Sequence, residues 1–168
     1  MESLQITLTN KVYWERYLMS LEPLLNAPLQ IQIHAFTAIA AFVLGVIQLI
    51  SPKGTLPHKF IGSVWLVLMI VTTISAYYIQ RPVGPDDPYW ARFSLIHIFV
   101  VVNIFGLVSG IGYILFGGSR MKKHSGPFIG MFIGGLIIAG ALAFLPGRVM
   151  HAVVFGGEAL TYEAPIKK

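Results

Sequence analysis

Five histidines punctuate an otherwise apolar chain, and imidazole is the side chain best suited to hold a metal or move a proton near neutral pH. His34 lies near the start of one apolar run, His58 at the start of a second, His97 near the start of a third and His124 at the start of a fourth; His151 follows the fourth. Chain direction reverses with each crossing of a bilayer, so His34 and His97 share one face and His58 and His124 the other. Two facing imidazole pairs are the geometry that a flat, doubly ligated cofactor needs near each surface. Paired neutral imidazoles on facing helices are how b-type haem is held in helical bundles, inside an apolar sleeve and with cations near the propionates. Candidate propionate partners are Arg81, Arg92 and Arg148 on one side and Lys59, Lys122 and Lys123 on the other.

The elements that must position these residues are four uncharged apolar runs, 29–50, 60–79, 93–116 and 127–145. Each is close to the ~20 residues that a helix needs to cross ~30 Å of hydrocarbon. Isolated strands leave backbone groups unpaired in lipid, so helices are the economical reading. Only 11% of the residues are charged and 55% are hydrophobic, where soluble domains carry about a quarter charged. The mean hydropathy of +0.72 agrees. The expected fold is therefore all-α: an integral membrane four-helix bundle (29–146) with an N-terminal interfacial segment (1–28) and a short tail (147–168), and no separate catalytic head. The first run begins nearly thirty residues in and lacks a small-x-small flank, which argues against a cleavable signal peptide.

Composition also excludes chemistry. There is no cysteine, hence no disulfide, no thiolate-bound iron–sulfur cluster and no covalently attached c-type haem in this chain. The net charge of +5 reads as membrane orientation rather than nucleic-acid binding. Loops 51–59 and 117–125 carry Lys53, Lys59, Arg120, Lys122 and Lys123 without an acid, which by the positive-inside rule makes them cytoplasmic and leaves both termini outside. The expected location is a bacterial plasma membrane.

Segment 10–25 reads as an interfacial helix broken by Pro23 and Pro28. Asn26 is the expected N-cap of the first span, with Pro28 in its first turn. Asp87 followed by Pro88 predicts a third helix that starts well before its apolar run, with His97 two to three turns inside it. Residues 148–155 read as a short surface turn. Stepping from His34 along its helix face gives Ala38, Ala41 and Gly45, a groove of small residues; His58 shares a face with Gly62, Trp65 and Met69, and His124 with Phe128, Met131 and Gly135. The spacing of Gly106 with Gly110, and of Gly130 with Gly134, predicts close helix approach, within or between protomers. The alternative is clearance for a bulky planar ligand.

Each histidine also has a plain reading, because helix-end histidines often bond loop carbonyls or lipid headgroups. His151 breaks the pairing and reads as interfacial, or as a polar contact for the outer site. Zinc is disfavoured, since no carboxylate or thiolate stands near these histidines in sequence. A proton relay is disfavoured by the absence of acids within the runs. The remaining polar groups in the runs, Gln48, Thr72, Thr73, Ser75 and Asn103, are expected to bond across helices, with Asn103 a candidate for a quinone carbonyl.

The segments His34-Ala-Phe-Thr-Ala-Ile-Ala, His58-Lys-Phe-Ile-Gly, His97 and Met121-Lys-Lys-His124 resemble a bacterial family of small four-helix membrane proteins of unknown function. Leu145-Pro-Gly-Arg148-Val-Met-His151 is similar to an alphaproteobacterial version of it. More distantly, the alternation of histidines resembles the four-helix core of ascorbate-dependent transmembrane di-haem cytochromes b. That resemblance implies His34 with His97 and His58 with His124 as axial pairs. It departs in lacking extra flanking spans and an ascorbate-binding basic motif. Three functions compete on these grounds: a haem-b electron carrier exchanging electrons with a quinone or a redox membrane protein; a non-redox accessory or assembly subunit docking through glycine-rich faces; and, least supported, a small transporter or lipid-binding bundle.

Overall fold

The computed structural model describes residues 19–81 and 83–157, and all regular elements among them are helical. Four helices are long and apolar enough to cross a membrane: Leu29–Ile50, Leu56–Tyr78, Ile98–Phe116 and Ser125–Leu142. The described residues form two compact units, one of 28–140 and one of 19–27 with 141–157.

Within the first unit the spans pack in a cycle, first on second, second on third, third on fourth and fourth on first. The first and third spans therefore stand on one diagonal and the second and fourth on the other. The core lies at mid-span and draws on all four helices: Ala41, then Trp65 and Met69, then Leu107, then Met131, Phe132 and Leu136. The outside is the inverse of a soluble surface. Val67, Phe105 and Val108 are 60%, 74% and 70% exposed, a distribution that only lipid or a partner accommodates.

The first two spans are joined by a tight turn in which Gly54 takes φ +82°, a left-handed conformation that favours glycine. Thr55 then caps the second span, its hydroxyl accepting from the His58 N–H at 3.3 Å. Pro57 falls in the first turn, where its missing N–H costs nothing. Thr55→Ala should lower stability by about 1 kcal/mol, read as a fall in thermal midpoint, with Thr55→Ser restoring it.

Two expected helix starts are corrected. Asn26 closes a short helix, Glu22–Leu25, and Pro28 itself is the residue before the first span. The Asp87 carboxylate does not cap the third span; it accepts from the Gly84 N–H at 2.7 Å and closes the loop. Beyond this loop the chain makes a 3₁₀ turn Tyr89–Arg92, an extended Phe93, a second 3₁₀ turn Leu95–His97, and only then the α-helix Ile98–Phe116. His97 thus sits at the entrance of the third span rather than turns inside it.

The fourth span is α-helical over Ser125–Met131, π-helical over Phe132–Ile138 and α-helical again over Ala139–Leu142. Gly135, inside the π segment, leaves room for the Asn103 amide, which a Cβ at this position would meet.

In the second unit Glu22–Leu25 pairs with a helix Val149–Phe155, and the Ser20 N–H donates to the Val153 carbonyl at 3.1 Å. Leu24, Val149, Ala152 and Val153 are buried there. The expected helix over 10–25 falls largely outside the described residues.

Candidate functional site

The two ends of the four-span unit each carry histidines, separated by the packed core. At the end where the second span begins, His58 lies within electrostatic reach of His124 and of Lys53. His58 Nδ1 is buried and has no hydrogen-bond partner among the described residues. Beside it the Gln48 amide donates to the His58 carbonyl at 2.8 Å, while Gln48 Oε1 is likewise buried without a partner. Gly62 makes room for this arrangement, since a Cβ there would meet Gln48 Nε2 at 2.7 Å. The His124 ring leads inward to Phe128 (5.8 Å between centroids), and Phe128 meets Trp65 edge-on at 5.7 Å. Lys59 and Lys123 are exposed nearby in sequence; Lys122 belongs to the 3₁₀ turn Gly118–His124.

At the other end, His34 turns toward the second span. Its Nδ1 lies 3.0 Å from the Thr72 carbonyl and 3.3 Å from Ser75 Oγ. A carbonyl only accepts, so Nδ1 carries the proton and Nε2 is left as the electron-pair donor. Thr72 Oγ1 in turn donates to Thr37 Oγ1 at 2.9 Å, extending a polar seam between the two helices. A metal-ligating imidazole is commonly oriented by this kind of contact through its second nitrogen.

His97 is held locally. The Ser94 N–H donates to His97 Nδ1 at 3.0 Å, and the His97 N–H donates to the Ser94 carbonyl at 2.9 Å. The first bond is one half of a reciprocal cap, with histidine in the place usually taken by Glu or Gln; the return bond is made by the Ser94 carbonyl rather than its hydroxyl. His97 Nε2 is buried and has no partner among the described residues. With Nδ1 accepting, Nε2 carries a stranded proton; for Nε2 to ligate, the proton must sit on Nδ1, where Ser94 O and Ser94 Oγ, each 3.3 Å away, can accept it. Next to this residue is an open cleft of about 510 Å³ lined by Arg81, Phe93, Ser94 and Ile98. An aromatic row leads to it, Tyr89 to Phe93 at 5.7 Å and Phe93 to His97 at 5.1 Å. Arg92 is taken up above the Tyr89 ring at 5.6 Å.

His151 and Arg148 belong to the second unit, where Arg148 precedes the helix Val149–Phe155 and the His151 ring stands 5.1 Å from Phe155. Among the described residues no group of three or more His, Asp or Glu is placed to hold a metal ion.

The faces read from His34, His58 and His124 lie largely on the core, and close helix packing rather than clearance for a planar ligand is what fills them. The groove Ala38–Ala41–Gly45 receives protein: Trp65 Nε1 donates to the Ala41 carbonyl at 2.9 Å, and a Cβ on Gly45 would meet the Phe132 ring at 2.6 Å. Met131 occupies the space at Gly106 and the Phe128 ring that at Gly110. These glycines serve helix packing at mid-span and leave no slot there for a planar ligand. Thr73 and Ser75 donate mostly to carbonyls of their own helix, at 2.7 Å to Met69 and 2.8 Å to Val71, rather than across helices. Ser94 was missed as a partner of His97, although its three-residue spacing is a capping spacing. The pairing of His34 with Thr72 and Ser75 joins residues 38 and 41 positions apart, for which a single sequence carries no signal.

Asn103 is buried, and its Oδ1 has no partner among the described residues. Asn103→Leu should be neutral or stabilising by up to about 1 kcal/mol, because it removes an unmade hydrogen bond at similar volume. A large fall in thermal midpoint would show that the amide binds something at mid-span. No family model, curated protein or solved structure matches the chain.

Proposed function

We propose that this membrane protein is a b-type haem-binding electron carrier, with His34 and His97 as one axial pair and His58 and His124 as the other. The observation that carries the reading is that His97 Nε2 and His58 Nδ1, at opposite ends of the bundle, are buried imidazole nitrogens without partners among the described residues. A buried polar atom left unpaired costs roughly 1–3 kcal/mol; an axial bond to iron would remove that cost at His97 Nε2, whereas His58 would ligate through Nε2 and keep Nδ1 as its second, orienting nitrogen. Each pair lies on one diagonal of the bundle, which is where a plate inserted between helix ends is reached from both sides. Haem held by these imidazoles would supply one-electron chemistry. The protein's own contributions are distinct. Thr72 orients His34, Ser94 contacts His97 Nδ1, Arg81 lines the adjoining cleft and would be available to a propionate, and the mid-span core stands between the two ends.

The reading extends to a bacterial plasma membrane with loops 51–59 and 117–125 in the cytoplasm, and to a quinone or a redox membrane protein as electron partner. A second reading, a non-redox accessory or assembly subunit, is favoured by the Ser94–His97 cap, which by itself explains one face of that imidazole. The dithionite-reduced minus oxidised spectrum of purified protein separates them. A sharp b-type α-band supports the carrier, and His151→Ala should leave it intact. A colourless, folded preparation from haem-supplied cells removes the carrier reading. Losing the band equally with His151→Ala removes the site assignment.

A further inference from the structure

A cleft of about 500 Å³ lies between the first and second spans at the His34 end, lined by Gln30, Ile33, Val71, Ile74, Ser75 and Tyr78. Its walls reach the lipid-facing surface, Ile33 being 39% and Ile74 56% exposed. From Val71 to Tyr78 it follows the second span for about 10 Å. One polar group is built into its wall: Ser75 is only 6% exposed. The Ser75 hydroxyl proton is engaged by the Val71 and Thr72 carbonyls at 2.8 and 3.0 Å. With its proton so engaged, Ser75 can meet an occupant of the cleft only as an acceptor, and the His34 imidazole stands 3.3 Å from the same oxygen. Gln30 and Tyr78, both exposed, place an amide and a phenol at the mouth. An acyl chain fits the isoleucine and valine walls but brings no donor to Ser75.

From this we infer that the cleft binds the head of a membrane quinol: a flat apolar ring arriving from the lipid, one hydroxyl donating to Ser75 Oγ and the opposite oxygen meeting Gln30 or Tyr78. Its size falls within the ~300–1,000 Å³ of small-molecule sites. The inference rests on the electron-carrier reading, for which the ring would stand against one axial histidine of the outer pair, but the binding itself requires no haem.

The test uses the full chain in phosphatidylcholine nanodiscs with a photoreactive short-tail azidobenzoquinone, reduced to the quinol before illumination. Adducts should map to 29–37 and 70–79 and be competed by decylbenzoquinol. Ile74→Trp, which fills the cleft from its exposed wall, should lower labelling at least about tenfold with an unchanged thermal midpoint. Ser75→Ala should lower it about three- to tenfold, the effect of one hydrogen bond. Labelling that Ile74→Trp leaves unchanged, that maps elsewhere, or that added phospholipid displaces as well as decylbenzoquinol does, overturns the inference and leaves a lipid seam. Capture without a b-type spectrum removes the electron-carrier reading and keeps the quinol cleft; a b-type spectrum without capture does the reverse.

Discussion

Replacing His97 with alanine should abolish the b-type signal of the pair at its end of the bundle, whereas His97→Gln should abolish the same signal while keeping the fold. The two substitutions separate two roles of one side chain. Alanine removes both the acceptor for the Ser94 N–H at 3.0 Å and the buried Nε2. Glutamine is a standard partner in the reciprocal cap and can accept from that N–H, but it is no axial ligand for haem iron. The thermal midpoint should therefore fall with alanine, by the ~1 kcal/mol of a lost cap, and recover with glutamine. Haem content at this end should recover in neither, and His34→Ala should match His97→Ala in the spectrum. If glutamine restores both spectrum and midpoint, His97 is only a cap, and the accessory-subunit reading gains its main support.

Gly110→Val should be the most damaging single change in the bundle, with a large loss of folded protein in detergent. A Cβ at this position falls on the Phe128 ring, and that ring is fixed on its other sides by Trp65 at 5.7 Å and His124 at 5.8 Å. Overpacking a filled core costs typically 1–3 kcal/mol, and here the displaced ring moves the helix that carries a candidate ligand. Gly112→Ala and Gly130→Ala are the controls. A Cβ at either meets nothing within 4 Å, so alanine should be neutral or stabilise by up to about 1 kcal/mol through helix propensity. The midpoint and yield of the three variants check the ranking. Gly110→Val behaving like Gly130→Ala would show that the fourth span does not pack on the third at this level.

The helix ends show where local reasoning fails. The Asp87-Pro88 pair is a sound N-cap signature, yet the Asp87 carboxylate closes its own loop on Gly84 instead. Two 3₁₀ turns then delay the third span to Ile98. Competing short-range hydrogen bonds of similar strength decide such boundaries, and the difference is too small to read from residue types. The consequence reaches the candidate site, because it moves His97 from inside a helix to its entrance.

What the sequence determined by itself was the architecture: four uncharged runs long enough to cross a bilayer, their alternation of direction, and the core-facing residues that follow His34, His58 and His124 at helical spacing. Those features come from length, hydropathy and helical period, which are sums over many residues and tolerate local error. Only the tertiary structure decided which partners the polar groups take. It placed His34 on Thr72 and Ser75, brought His58 and His124 into range of each other, and filled the glycine grooves with Trp65, Phe128, Met131 and Phe132. A hydrogen bond or a van der Waals contact is set by fractions of an ångström between residues far apart in the chain, and one sequence holds no record of those distances.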